Sequence, residues 1–380
     1  TTYRPIDGSR NENPPPLRYA VAFLSGDESR PLELRDAGPA GEVKARGLAL
    51  KAGREAEASW LYSRLVGQWD EHLRELESVY LVPGGWLHLV NFERMILPDG
   101  RYWIERQRVH RLQTARDLLR DFPAAVRTGG LLALGGIDYG AAPGEGGNAD
   151  SIGDVHRNLS SQVGKGFKPL PASDKELTQL ELFFWTMEEG DSKEIKRTWR
   201  ERSAAEHRLK QLGQPPQVLH FATHAFYLDD RLEVGRPMIL SGLALANANR
   251  GITGRADETG QDGILYALEA QDLNLEGTQL VTLSACETGQ GVVDYAEGIY
   301  GLVRAFRVAG ARHVLMTLEK VSDEAAYHFM RRFYLAWLAS GRLEHPYEAL
   351  RATKLTYIRN QAGSGHSPKL WAPFVLVEVP

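Results

Sequence analysis

Cysteine occurs once in the chain of 380 residues, at Cys286. A single thiol forms neither an intrachain disulfide nor a multi-cysteine zinc site, so Cys286 is either a small buried apolar residue or a chemical group. Its company argues for the second. Cys286 ends the run Leu-Val-Thr-Leu-Ser-Ala-Cys, and His224 ends the run Val-Leu-His-Phe-Ala-Thr-His. If the two runs are neighbouring parallel strands, a thiol and an imidazole stand at one sheet edge, where the histidine lowers the thiol pKa or takes its proton. The segment from Glu287 through Thr288, Gly289, Gln290 and Gly291 bends easily and suits an approaching substrate better than a sealed core. Ala296, Glu297 and Gly298 then open a helix, whose N-terminus favours a nearby negative charge. His220, inside the histidine run, reads as a hydrogen-bonded structural residue.

Those positions need a scaffold. Gly129 to Ile137, Gln217 to Phe221, Gln279 to Ala285, Arg312 to Leu318 and Phe374 to Val379 are apolar runs that read as strands buried on both faces. Helical spacing fills Asp174 to Glu189, Ser192 to Leu212, Ala296 to Ala309, Ser322 to Ala339 and Pro346 to Arg359. Alternating strands and helices predict right-handed crossovers and a mainly parallel sheet with helices on both faces, an α/β fold. Ligands bind such sheets beyond the carboxyl ends of the strands. That rule selects Asp138 and Tyr139, Thr223 and His224, Cys286 and Glu287, and Glu319 and Lys320. The connections Gly140 to Pro171 and Leu228 to Leu275 read as long loops, the kind that carry function. Gly144, Gly146 and Gly147 lack the Lys-Ser/Thr of a phosphate-binding loop, so no nucleotide site is expected.

Earlier in the chain, Tyr19 to Leu24 and Pro31 to Arg35 read as strands able to pair, and Glu55 to Leu76 as a helix with its apolar residues three and four apart. Val79 to Val82 is a short apolar run stopped by Pro83, Gly84 and Gly85. Arg101 to Arg120 holds six arginines and two acids and reads as a solvated strand and helix face.

Composition bounds the function. Hydrophobic residues make up 43% and charged residues 25%, which excludes a disordered or collagen-like chain. A net charge of −4, from 45 basic and 49 acidic residues, argues against holding nucleic acid by bulk charge. No apolar run reaches the roughly 18 residues of a membrane helix, and Thr1 to Pro16 lacks the pattern of a secretory signal, so the expected location is cytoplasmic. The chain does not begin with methionine, which suggests a piece of a longer protein with domains upstream.

The segments His220-Phe-Ala-Thr-His224-Ala and Leu283-Ser-Ala-Cys286-Glu-Thr-Gly289 resemble the CHAT family of caspase-like cysteine peptidases, in the clan of caspases, separases and gingipains. Glu297-Gly298, Gly301-Leu302, Arg304-Ala305-Phe306 and Ala309-Gly310-Ala311 extend the likeness. Leu81-Val-Pro-Gly-Gly-Trp-Leu-His-Leu, Lys320-Val-Ser-Asp323 and Trp371-Ala-Pro-Phe374 carry it over roughly residues 75 to 380. The resemblance implies a caspase-like catalytic domain over 126–380, preceded by a smaller, non-catalytic α/β half over 1–125 of pseudo-caspase-like kind. It implies a peptide-cleaving Cys/His dyad with Cys286 as nucleophile and His224 as general base or acid. The backbone N–H groups of Cys286 and Ala225 would form the oxyanion hole. The family places glycine where this chain has Ala225; the N–H survives the change, but a positive φ there would strain alanine. No metal or organic cofactor is implied. The implied partners are a protein substrate and a regulatory partner or upstream helical-repeat domain, with a role in bacterial defence or signalling.

The resemblance also maps a first side-chain pocket onto Asp138, the surroundings of Ala285, Glu287 and Glu319. Two acids in one pocket would favour arginine or lysine before the scissile bond. The alternative is that Asp138 caps its loop turn and Glu319 pairs with a neighbouring cation. Cutting of the 140–171 loop at Lys165 or Lys168 offers a route to activation. Besides a peptidase, two other functions fit these residues: a catalytically silent module that binds a partner, and a different acyl-transfer enzyme on the same dyad.

Overall fold

The computed structural model describes residues 2–3, 16–27, 29–119, 130–141, 159, 163, 166–186, 197–228, 238, 240–284, 286–287, 296–340, 345–359 and 367–379; for 2, 3, 186, 286, 287 and 296–300 only the backbone is described. Two compact units divide the chain, Thr1–Leu112 and Gln113–Pro380. The sequence reading puts this division at 125.

In the first unit, β1 (Arg18–Phe23) and β2 (Glu33–Pro39) pair antiparallel, followed by α1 (Ala40–Lys51) and α2 (Ala56–Leu65). The helix expected over Glu55 to Leu76 is broken. After α2 the chain tightens into a 3₁₀ turn at Gly67–Trp69 and a short helix at Asp70–Leu73. The break brings Asp70 within reach of Tyr62, whose hydroxyl donates to it at 2.6 Å, and of Arg106 and Arg74 at 2.8 and 2.6 Å. Burial pushes the Asp70 pKa up, but these hydrogen bonds outweigh it and hold it at about 2. The arginine-rich stretch is therefore not simply a solvated face. Arg106 anchors Asp70, and buried Arg111, on β4 (Arg108–Arg111), donates to the carbonyls of His88 and Val90. β3 (Ser78–Leu81) runs parallel to β4.

The second unit contains the expected α/β sheet. Its strands are β5 (Leu131–Leu134), β6 (Arg197–Trp199), β7 (Val218–Phe221), β11 (Leu280–Leu283), β13 (His313–Thr317) and β14 (Phe374–Val377), in the spatial order β14-β13-β11-β7-β5-β6. All pair in parallel except β14, which runs antiparallel to β13. β5, β7, β11 and β14 are buried at every position, which is why they read as continuous apolar runs. The described helices include α3 (Pro171–Thr186), α4 (Ala296–Val308), α5 (Asp323–Ala339) and α6 (Pro346–Arg359). The Ser322 side chain caps α5 by accepting from the Ala325 N–H.

Two expectations fail here. Of the helix expected over Ser192 to Leu212, the described part, 197–212, is instead β6, a 3₁₀ turn at Glu201–Ser203 and a short helix at Glu206–Lys210. Thr198 and Trp199 favour extended backbone, and pairing with β5 gives β6 a sheet to join. The connection Leu228 to Leu275 is not one loop. It contributes β9 (Ser241–Ala244) and β10 (Ile264–Tyr266), which with β8 (His224–Tyr227) and β12 (Cys286–Glu287) form a second sheet, ordered β10-β9-β8-β12.

A buried polar network ties the parallel sheet to two helices. The Tyr334 hydroxyl on α5 lies 2.8 Å from Thr282 Oγ1 on β11 and 3.0 Å from His220 Nδ1 on β7. His220 Nε2 is 2.9 Å from Glu176 Oε1 on α3, and Ser284 donates to the same carboxylate at 3.2 Å. His220 thus has the structural part expected of it. Removing the Tyr334 hydroxyl deprives two buried groups of a partner, so Tyr334→Phe should lower stability by about 1–3 kcal/mol in urea unfolding followed by circular dichroism. An unchanged midpoint would mean the network contributes nothing.

Candidate active site

Each catalytic candidate sits just beyond a strand of the parallel sheet. β7 ends at Phe221 and β11 at Leu283, paired in register, Leu283 opposite Phe221. Both segments then continue into the second sheet, where β8 and β12 pair in parallel with Cys286 opposite His224 and Glu287 opposite Ala225. Paired strands run about 4.8 Å apart, and residues in register belong to one face. The two residues singled out by their type and their places at the ends of apolar runs are thus direct neighbours across a sheet.

His224 is buried, and its ring is held from several sides. Its Nε2 lies 2.6 Å from the Lys168 carbonyl oxygen. A carbonyl only accepts, so Nε2 carries the proton and Nδ1 of the neutral ring is left with its lone pair. Nδ1 has no hydrogen-bond partner among the described residues. Phe167 stacks against the imidazole with centroids 5.6 Å apart, and Tyr139 lies at 5.2 Å. Tyr139 is fixed in turn. Thr223 gives its hydroxyl proton to the Ala244 carbonyl, so its oxygen accepts from the Tyr139 hydroxyl at 2.9 Å. This apolar enclosure lowers the His224 pKa below 6.5 by desolvation, against the smaller opposing pull of the Lys168 carbonyl.

Ala225 lies within β8, and the non-glycine residues with positive φ among those described are Glu201 and Asn247. Alanine is therefore unstrained where the family has glycine. Asp138 accepts the Gly140 N–H at 2.9 Å, capping its turn, and its other oxygen is 3.1 Å from Arg202 Nε. These contacts hold the Asp138 carboxyl below its ordinary pKa, the Gly140 N–H contributing most. Glu319 is half-buried beyond β13 and is not without a partner. The Cys286 and Glu287 side chains, Ala285, the turn 288–291, the loop glycines Gly144, Gly146 and Gly147, and Lys165 lie outside the described residues. Among those described, no helix is long and apolar enough to cross a membrane.

The composition and spacing of the chain pointed to neither Phe167 nor the Lys168 carbonyl. Lys168 entered as a cleavage site, yet its backbone oxygen is what orients His224. A main-chain acceptor leaves no signature in residue type.

A family model described as CHAT domain matches residues 55–378. No curated protein matches the chain.

A histidine whose folded-state pKa is depressed stabilises the fold above about pH 6.5, and the contribution is lost as pH falls through the depressed value. Between about pH 7 and pH 5 the wild type should therefore lose more melting temperature than His224→Gln. Equal losses in a thermal scan would show that His224 titrates as in an unfolded chain.

Proposed function

The chain belongs to the CHAT family, a group with the caspase-like cysteine-peptidase type of fold, and from that premise we propose that it is a cysteine endopeptidase acting through His224 and Cys286. The observation that carries this reading is the parallel register of Cys286 against His224. In the proposed reaction the His224 Nδ1 lone pair takes the thiol proton as Cys286 sulfur bonds to the substrate carbonyl carbon. The same proton passes to the leaving amine as the C–N bond breaks, and water then hydrolyses the thioester. The N–H groups of Cys286 and Ala225 would face the oxyanion, and extended backbone at Ala225 is compatible with that part. Control by a bound partner or by helical repeats upstream belongs to the same reading.

Cys286→Ala and His224→Ala should each abolish cleavage of a protein substrate while leaving the melting temperature within a few degrees of wild type. A wild type that cleaves nothing, with its cellular effect intact in Cys286→Ala, would favour a partner-binding module instead. New N-termini read by mass spectrometry after incubation with candidate substrates supply the measurement.

For the residue before the scissile bond, the reading is a preference for arginine or lysine through Asp138 and Glu319. Arg202 already pairs with Asp138, but its side chain is 80% exposed. Exposed pairs of this kind are worth about 0–1 kcal/mol, so a substrate guanidinium can displace Arg202 at small cost. Peptides differing only at that residue should be cut fastest with arginine, and Asp138→Asn should reduce this advantage about tenfold, the loss of one charge-assisted pair. Cleavage after aspartate or an apolar residue, with none after arginine or lysine, would remove the pocket assignment.

A further inference from the structure

Asn249, in the short helix Ala248–Gly251 that follows β9, is buried, and its amide is fully used. Oδ1 accepts the Phe167 N–H at 2.7 Å, while Nδ2 donates to the carbonyls of Phe167 at 3.1 Å and of Gly140 at 3.0 Å. These partners fix which end of the amide is which, since an N–H only donates and a carbonyl only accepts. The surrounding backbone closes the arrangement. Asn249 N–H donates to the Tyr139 carbonyl at 2.9 Å, and Asn247 N–H to the Asp138 carbonyl at 3.1 Å. One side chain thus clamps two separate segments. One is 166–168, which supplies the Phe167 ring and the Lys168 carbonyl to His224. The other is the turn after β5, which supplies the Tyr139 ring.

We propose that Asn249 is a positioning residue for His224. By holding the Phe167 backbone from both its N–H and its carbonyl, it fixes the adjacent Lys168 oxygen that keeps the imidazole proton on Nε2 and leaves Nδ1 free to act. It touches no reacting atom. The part it plays in turnover rests on the reading of His224 as the general base, whereas its hold on the tautomer does not.

The requirement is for an amide and not merely for a residue of that size. Aspartate has nearly the same shape and would still accept the Phe167 N–H, but it offers no donor and turns a charge toward two carbonyls. Leucine would fill much of the volume with no polar contact. Alanine would leave three backbone groups short of a partner, the buried N–H and carbonyl of Phe167 and the half-buried carbonyl of Gly140.

The test uses the whole chain labelled with nitrogen-15 histidine, with the His224 resonances identified by their loss in His224→Gln. Wild type should show the Nε2-protonated tautomer at neutral pH. Asn249→Asp and Asn249→Ala should show a mixture of tautomers, and kcat should fall about 10- to 100-fold with KM little changed, as for a slightly misplaced catalytic group. A wild-type ring protonated on Nδ1 overturns the proposal whether or not the variants fold. So do folded variants with the wild-type tautomer and wild-type kcat, a result that would leave the peptidase reading standing. A chain with no peptidase activity in which the variants still scramble the tautomer supports the clamp and removes the peptidase reading.

Discussion

A neutral imidazole can carry its proton on either nitrogen, and only one choice leaves a lone pair where a neighbouring group can use it. In this chain the choice is made by a main-chain carbonyl. The Lys168 oxygen, 2.6 Å from His224 Nε2, holds the proton there. A carboxylate in that place would do so by charge and would stabilise the imidazolium strongly. A carbonyl does it by geometry with only a dipole, so the hydrogen bond is as good as the backbone that presents it. The Lys168 side chain is exposed, and the segment 166–170 has neither helix nor strand of its own. Its placement depends on the aromatic contacts of Phe167 and on the side chain of Asn249.

The two sheets divide the work. The parallel sheet, with β7 and β11 in its interior, supplies burial and the register between the two chain segments. The network of Tyr334, Thr282, His220, Glu176 and Ser284 lies at the carboxyl halves of those strands. Beyond it the same two segments enter the second sheet and keep the same partnership, Cys286 against His224. Carrying a register through two sheets restricts the approach of two catalytic candidates more than a pair of loop ends could. The β8–β9 pairing supports β8 on its other side, with Ala225 opposite Leu243.

Much of this was legible in the residues because continuous apolar runs of Leu, Val and Phe have few uses besides strands buried on both faces. β7, β11, β13 and β14 all fell within expected runs, and α6 matched at both ends. β9 and β10 were not legible. Ser241-Gly-Leu-Ala244 and Ile264-Leu-Tyr266 are short, carry small residues, and show no alternation. They are strands because β8 offers hydrogen bonds, a tertiary cause with no local signal. The helix expected over Ser192 to Leu212 failed for a related reason, since an edge position beside β5 outweighed a helical spacing. For the site, Cys286 and His224 were visible because their chemistry belongs to side chains. The Lys168 carbonyl and the clamp of Asn249 were not, because one is backbone and the other joins segments more than eighty residues apart.

The enclosure of His224 also bears on how the proposed reaction would start. Tyr139 and Phe167 exclude water from the ring, which disfavours its charged form and lowers its pKa. A free cysteine thiol titrates near pH 8.5, and a histidine pushed below its ordinary value is a poorer match for it. In the proposed reaction such an imidazole would favour starting from a neutral thiol rather than from a standing thiolate–imidazolium pair. Proton transfer would then become favourable only as the substrate carbonyl takes up the developing charge, so that the proposed base would act together with bond formation. The same aromatic walls that lower basicity hold the ring in place and strengthen its hydrogen bonds, by keeping the local dielectric low. On the proposed reading the enclosure of His224 would give up basicity in the resting state for orientation in the reacting one, and the Lys168 carbonyl is the contact on which that exchange would depend.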